Sequence, residues 1–323
     1  KMYLSGMRIK ELSIVIPLFN EAESLPELMS WIDKVLQGRE YEVIFVDDGS
    51  RDNSWGVIEE LSTLYPDNVR GLKFARNYGK SAGLQKGFEA AKGRVVFTMD
   101  ADLQDSPDEI LVMEKYLVDN DLDLVSGWKK KRHDPITKTI PTKLYNWMTR
   151  KMSGIHLHDF NCGLKCYKLE VVKAIELQGE MHRYIPLLAK HVGFDKIGEH
   201  VVEHQARKYG TTKFGVERFT NGMLDLMTLV FVQRFSHKPM HLFGLLGTLT
   251  FVLSAVLITA IGGYKLYAMY SGLEAKNITE ISSFYVALTG MIVGSQLFLA
   301  GFIAEMVSRS DAAHSNYRVE NEI

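Results

Sequence analysis

Residues 94–107 read R-V-V-F-T-M-D-A-D-L-Q-D-S-P, an apolar, β-branched run that ends abruptly in Asp100, Asp102 and Asp105. Such a run suits a strand covered on both faces. Three others share its character: Leu12–Pro17 (LSIVIP), Tyr41–Val46 (YEVIFV) and Val69–Phe74. A helix-compatible stretch follows each of the four, at Glu21–Leu36, Asp52–Leu64, Lys80–Ala91 and Pro107–Val118. Ser50 or Asp52 serves as an N-cap and Pro107 sits in a first helical turn. Strands alternating with helices predict an open, mostly parallel α/β sheet flanked by helices, whose ligands bind beyond the carboxyl ends of the strands.

The strand ends are polar. Strand one runs into Pro17-Leu18-Phe19-Asn20-Glu21, strand two into Asp47-Asp48-Gly49-Ser50, and strand four into Asp100-Ala101-Asp102-Leu103-Gln104-Asp105. A carboxylate at the end of a central strand is costly unless it is hydrogen-bonded or bound to a cation. Asp100 and Asp102 would face the same way on an ideal strand, and a hard ion such as Mg²⁺ or Mn²⁺ bridging them to a diphosphate fits. Acidic residues that merely cap helices would explain a lone D-x-D. Three carboxylate-bearing tips on one edge favour a nucleotide and a metal.

The 323 residues carry 38 Lys plus Arg against 39 Asp plus Glu, so no global basic field exists for a nucleic-acid partner. The composition also excludes a disordered chain, at 46% hydrophobic and 24% charged residues. Cys162 and Cys166 give no disulfide framework and are expected as reduced, buried thiols. Mean hydropathy is −0.06, a soluble-looking value. Charge, however, is unevenly spread. Met240–Tyr264 and Ile281–Ala304 contain no Asp, Glu, Lys or Arg. At about 1.5 Å per residue each can cross a hydrocarbon core of roughly 30 Å.

The expected organisation is therefore a cytoplasmic α/β domain over 1–215, an amphipathic helix over 216–238, a transmembrane hairpin over 239–308 and a tail over 309–323. Phe219, Met223, Leu226, Met227 and Val230 recur at helical steps. That helix lies in the membrane interface or packs on the globular domain. Arg234, Lys238 and Arg309 flank the spans and place both hairpin ends in the cytoplasm, at the inner membrane if the source is bacterial. The segment Lys1–Lys10 is short and mixed, and no signal peptide is expected.

VIPLFNEAESL, VDDGSRDNS, FARNYGKSAGLQKGFEAAKG and MDADLQDSP, in that order, resemble the successive motifs of family 2 glycosyltransferases with the GT-A fold, a Rossmann-like sheet. More narrowly the chain resembles the polyprenyl-phosphate hexosyltransferases, the group of dolichol-phosphate mannose synthase and of undecaprenyl-phosphate glucosyltransferases with two C-terminal membrane helices. The resemblance implies that Pro17, Asn20 and Glu21 shape the nucleotide pocket and that Asp47 contacts base or ribose. It implies Asp102 and Gln104 as metal ligands, with Asp100 close to the metal and the donor diphosphate. Asp48 and Lys80 join the donor-binding set. Gly79-Lys80-Ser81 mimics the end of a Walker A motif, but the required earlier glycine is Phe74, so that reading fails.

Arg207-Lys208-Tyr209-Gly210-Thr211-Thr212-Lys213 resembles the R-x-x-G-x-S-K element of these enzymes, with Thr212 where Ser is common. Arg207, Thr212 and Lys213 would hold the lipid phosphate through charge-assisted bonds. The run Lys129–Arg132 would supply a further acceptor contact, with Lys129 put forward for it although sequence does not separate the four, and anionic lipid headgroups explain the run equally well. Asp159 opens a D-x-x-x-G-x-K stretch ending in Lys165, and either orients the acceptor or a basic partner or caps a loop. The histidines form no zinc constellation.

The expected reaction is inverting, metal-dependent transfer of a hexose, glucose or mannose first, from a UDP- or GDP-sugar to a polyprenyl phosphate at the cytoplasmic membrane face. An N-acetylhexosamine or modified aminosugar donor is the alternative on the same scaffold. A membrane-tethered, non-catalytic nucleotide-sugar-binding protein is the alternative of another class. No Q-x-x-R-W stretch supports a processive synthase. Relatives of this kind make a homo-oligomer conceivable.

Overall fold

The computed structural model describes residues 10–130, 146–147, 149–151, 153–177, 179, 181–205, 208, 239–274 and 276–311. The order of elements is β1 (Leu12–Leu18), α1 (Leu25–Val35), β2 (Tyr41–Asp47), α2 (Ser54–Leu64), β3 (Val69–Lys73), α3 (Lys80–Ala90), β4 (Val95–Thr98) and α4 (Glu109–Asp119). There follow β5 (Leu124–Trp128), β6 (Lys165–Lys168), α5 (Leu169–Ala174), α6 (Ile185–His191) and β7 (Ile197–Val201). Two long helices, α7 (Pro239–Tyr270) and α8 (Ser282–Asp311), complete the described chain. The chain divides into two compact units, Lys1–Met227 and Thr228–Ile323. The amphipathic stretch expected over 216–238 lies outside the described residues.

In the first unit a 7-stranded sheet has the order β3-β2-β1-β4-β6-β5-β7. All pairings are parallel except those of β6, which runs antiparallel to both β4 and β5. Both faces are covered, as the unbroken apolar runs of the central strands require. Ile14, Ile16, Phe45 and Phe97 pack with Leu28 and Ile32 of α1, Ile58 of α2 and Ile110 and Met113 of α4. On the other face Val15, Ile44, Val46 and Val96 meet Leu84 and Phe88 of α3, Val171 of α5 and Ile185 of α6.

Three helices start later than the sequence pattern suggested; α2 begins at Ser54 with Asn53, not Ser50 or Asp52, at its N-cap. Residues 20–24 form a turn in which Asn20 takes φ +56° and the Ser24 N–H donates to the Glu21 carbonyl at 3.1 Å. The helix proper begins at Leu25, with Pro26, whose missing N–H is harmless there, in its first turn. Pro107 likewise stays in a turn before α4, accepting the Ile110 N–H at 3.0 Å.

One detail of register opens the site. The β1–β2 ladder runs from Leu12–Tyr41 to Leu18–Asp47, whereas the β1–β4 ladder stops at Val15–Thr98. β4 ends at Thr98 while β1 runs on beside β2 to Leu18, at the point where successive connections leave the sheet in opposite directions, the usual place of a ligand crevice in such sheets. Pro17 falls in that margin, where a strand residue without an N–H is tolerated.

The second unit contains two helices long and apolar enough to cross a membrane, with mean hydropathy of 2.2 and 1.9. Leu245, Leu249, Val252, Val256, Leu299 and Ile303 are exposed, which for an aqueous surface would be a large apolar liability and for a bilayer is the required outer face. The unit is thus membrane-associated. The helices meet along a seam of small residues: a Cβ on Gly247 would lie 2.6 Å from the Phe298 nitrogen, and one on Gly294 2.7 Å from the Phe251 nitrogen. Such backbone-to-backbone approach is how helices pair where lipid offers no hydrophobic drive.

Phe97 is fully buried in the central strand β4. Phe97→Ala should cost about 3–5 kcal/mol and lower the thermal midpoint of the detergent-solubilised protein, whereas Leu64→Ala, at a side chain 71% exposed, should leave it nearly unchanged.

Candidate active site

The loops after β1 and β2 are knitted together by short polar side chains. The Asn20 N–H donates to Ser50 Oγ at 2.8 Å, and Asn20 Oδ1 accepts the Arg51 N–H at 2.7 Å. The Glu21 N–H donates to Ser54 Oγ at 3.0 Å and the Ala22 N–H to Asp52 Oδ2 at 3.2 Å. Asp47 is fully buried at the tip of β2; its Oδ1 accepts the Ser50 N–H at 2.9 Å. Its Oδ2 is buried without a hydrogen-bond partner among the described residues. An orphaned acceptor of this kind costs about 1–3 kcal/mol unless a ligand supplies the donor. Asp48 behaves differently. Both of its oxygens accept backbone N–H groups, from Tyr78 at 2.6 Å and Gly79 at 2.9 Å, and so fix the loop that leads into α3.

The first residue of α3, Lys80, forms an ion pair with Asp100 just past β4. Burial pushes the Asp100 carboxyl up, but Lys80, with help from the fields of Lys129 and His182, outweighs it and holds the group at about 2. Gly163 makes room for this carboxylate: a Cβ there would lie 2.5 Å from Asp100 Oδ2. His182 in turn is anchored on α3, its Nδ1 3.0 Å from Ser81 Oγ.

Past Asp100 the chain turns tightly, with Leu103 at φ +60° and the Gln104 N–H donating to Asp102 Oδ1 at 3.2 Å. Among the described residues no group of three or more His, Cys, Asp or Glu side chains forms a metal cage. Asp102 and Gln104, both half-buried residues with oxygen-bearing side chains, nonetheless fit a hard divalent ion that takes its remaining ligands from a diphosphate, the usual economy of Mg²⁺ sites.

The opposite wall comes from β5, β6 and β7. Lys129, directly after β5, lies 2.6 Å from Asp105 Oδ1, and their side chains are 12% and 0% exposed. Its ammonium is therefore turned to Asp105, while the exposed Lys130 lies over the Trp128 ring at 5.7 Å. Trp128 stacks on His158 with ring centres 4.1 Å apart. Glu199 organises the next residues, accepting the N–H groups of His158 and Asp159 at 2.7 and 3.0 Å and meeting His158 Nδ1 at 2.6 Å. Asp159 is buried and accepts the Asn161 N–H at 3.1 Å. Lys165 is buried too, donating to the Cys162 carbonyl; burial lowers its basicity, partly offset by Cys162 and Asp159. Cys162 and Cys166 are free thiols, and burial pushes Cys162 up to about 12. Arg207, Thr212 and Lys213 lie outside the described residues, as do Lys131 and Arg132.

The sequence profile described as glycosyl transferase family 2 matches residues 13–175, half of the chain, which takes in β1 through α5. The chain belongs to this family. The glycosyltransferase is 34% identical over 316 residues to a dodecaprenyl-phosphate galacturonate synthase of Rhizobium johnstonii, covering 96% of this chain and 92% of that one. It is 32% identical to an undecaprenyl-phosphate 4-deoxy-4-formamido-L-arabinose transferase of Aeromonas hydrophila, covering 95% and 91%. Among solved structures it is similar to glucosyl-3-phosphoglycerate synthase of Mycobacterium tuberculosis, with a TM-score of 0.53, 17% identity and coverage of 72% and 86%. That likeness carries the fold, the GT-A arrangement that the motifs implied.

Of the residues gathered at this edge, Pro17, Asn20, Asp47, Asp100, Asp102 and Gln104 were candidates from the sequence, through their place at the strand ends and the resemblance. Asp105, His182 and Glu199 were not, since each acts across long sequence separations that no local pattern reveals. The only local hint for Asp105 was its place directly after Gln104.

Two outcomes follow from the Asp100 geometry. Gly163→Ala should displace the carboxylate and reduce turnover by about 10-fold or more while the protein stays folded with a lowered thermal midpoint, both measured in parallel on the same preparation. Because Asp100 titrates below its ordinary value of 3.8, the stability that ionisation confers is present above about pH 4 and is lost as pH falls toward 2. The difference in thermal midpoint between wild type and Lys80→Met should accordingly stay constant from pH 8 to pH 5 and narrow only below about pH 4.

Proposed function

We propose that the protein transfers a sugar from a nucleoside diphosphate sugar to a polyprenyl phosphate, with inversion, at the cytoplasmic face of a membrane. The observation that carries this reading is similarity to two polyprenyl-phosphate sugar transferases along more than nine-tenths of the chain, membrane-type helices included. Those relatives turn the choice of sugar away from plain glucose or mannose. One is named for galacturonate and the other for a formamido-arabinose, a modified aminosugar of the kind held as the alternative above. The donor proposed here is a UDP-sugar bearing an added carboxylate or amide.

In this mechanism Asp47 Oδ2 receives a donor group of the base or ribose, and the interlocked Asn20 and Glu21 loop walls the nucleotide. Asp48 holds the loop that delivers Lys80. Asp102 and Gln104, next to Asp100, hold Mg²⁺ or Mn²⁺, which when bound supplies Lewis-acid neutralisation of the leaving diphosphate. Lys80, already beside Asp100, adds a cation at the same place. Arg207, Thr212 and Lys213 grip the lipid phosphate and aim it at the anomeric carbon from the face opposite the diphosphate, with Asp159 orienting the acceptor side. A phosphate monoester is already anionic near neutral pH, its second pKa being about 6, so no strong general base is needed. Positioning and charge neutralisation then supply most of the rate.

Detergent-solubilised protein incubated with undecaprenyl phosphate and labelled UDP-glucose, GDP-mannose, UDP-N-acetylglucosamine, UDP-galacturonate and UDP-formamidoarabinose should send label into the organic phase with one of the last two. EDTA should abolish that signal. Asp102→Asn should lower turnover by at least about 100-fold with the fold retained; full activity in that variant would remove Asp102 from the metal site. Arg207→Ala should raise the KM for the lipid phosphate, and a change confined to the KM for the donor would refute the acceptor assignment.

A further inference from the structure

Asp105 has no role in the mechanism above, yet it is among the most deeply buried charged groups in the described chain. Its side chain is 0% exposed, its Oδ1 faces Lys129 at 2.6 Å, and its Oδ2 has no hydrogen-bond partner among the described residues. A buried ion pair of this kind is not a stability device, because apolar residues of similar volume commonly do as well or better. What sets it apart is where its partners sit. Asp105 directly follows Gln104, and Lys129 directly follows the last residue of β5. Asp105 also makes an isolated antiparallel bridge with His204, and the Gln205 N–H donates to the Gln104 carbonyl at 2.9 Å. The Val202 N–H donates to the Trp128 carbonyl at 3.1 Å, tying the end of β7 to the end of β5. Three segments thus meet around Asp105: its own turn 100–105, the end of β5 through the Lys129 ammonium, and residues 202–205, which precede Arg207 in sequence, through backbone pairing. Further along, Lys208 is held by Glu27 of α1 at 2.7 Å.

We propose that Asp105 and Lys129 are a positioning pair that locks the metal turn to the acceptor-side segment, fixing the distance between the donor's anomeric carbon and the lipid phosphate. The proposal rests on the donor, metal and acceptor placements above, and it removes Lys129 from the phosphate ligands. The field of Asp105 helps to keep Lys129 charged against the penalty of burial, and Lys129 in turn contributes to the field at Asp100. One cation therefore bears on both ends of the turn that carries Asp102 and Gln104. A misplacement of about 1 Å at a reacting centre is enough to cost roughly 100-fold in rate.

The test uses full-length protein in detergent and the variants Asp105→Asn, Lys129→Met and the double variant, which removes the charge from both partners. Thermal midpoints, kcat and KM for undecaprenyl phosphate, and Mn²⁺ affinity by electron paramagnetic resonance with UDP and then GDP, without acceptor, are measured on each. The expected result is a lowered midpoint in each single variant and its recovery in the double variant. In that stable double variant kcat should remain about 10- to 100-fold down at near-normal KM for the lipid, with Mn²⁺ affinity weakened several-fold. Recovery of both kcat and Mn²⁺ affinity along with the midpoint would make the pair merely structural and overturn the proposal. So would a rise in KM for the lipid phosphate confined to the variants lacking Lys129, the mark of a direct phosphate ligand. If wild type transfers no sugar to the lipid, the functional reading fails by itself, and the Mn²⁺ arm decides the coupling: normal affinity in the double variant overturns it. Wild type that binds no Mn²⁺ with either nucleotide overturns both.

Discussion

The salt bridge between Lys80 and Asp100 sits where the sheet comes apart, at the place where β4 stops and β1 runs on beside β2. Diverging strands leave space, and space at the carboxyl edge of a parallel sheet collects polar residues. Several charges there are met by an opposite charge close by, because the surrounding medium screens poorly, while Asp48 is met by backbone N–H groups. Lys80 answers Asp100, Lys129 answers Asp105, and Lys165 lies in the field of Asp159. The cations come from α3, from the residue after β5 and from β6, so three elements distant in sequence are held at one edge by electrostatics as well as by packing. A divalent ion and a diphosphate entering together bring nearly equal and opposite charge, and the balance of the crevice survives their arrival.

How much of this could be read from the chain depends on the range of the interaction. The buried central strands announce themselves, since an unbroken apolar run such as YEVIFV has few other uses, and their polar tips mark the ligand edge without any knowledge of distance. β6 is another matter. It has four residues, begins and ends in lysine, and has no periodicity to reveal that it is inserted between β4 and β5. Its Lys165 looks like a surface residue and is buried. Lys129 could not be distinguished from the next three residues of its basic run because what separates them is a partner, Asp105, brought near only by the fold. Glu199 offers an ordinary strand residue in sequence, and in space it fastens His158 and Asp159.

Averages over the chain hide its division of labour. A mean hydropathy of −0.06 belongs to neither unit, one of which is a charged α/β layer structure and the other a pair of helices with hydropathy near 2.2 and 1.9. Near-zero net charge conceals the same thing, since the charges that matter act over a few ångströms and cancel in pairs.

The seam between α7 and α8 has an implication for how the hairpin is assembled. Gly247 and Gly294 let the backbones touch, so the information for pairing resides in the facing surfaces of the two helices and not in the connection over 271–281. That connection is a tether that raises the local concentration of one helix around the other. Severed there, the two pieces would still carry matched surfaces and could find one another within a bilayer, the way the halves of a broken mould still fit.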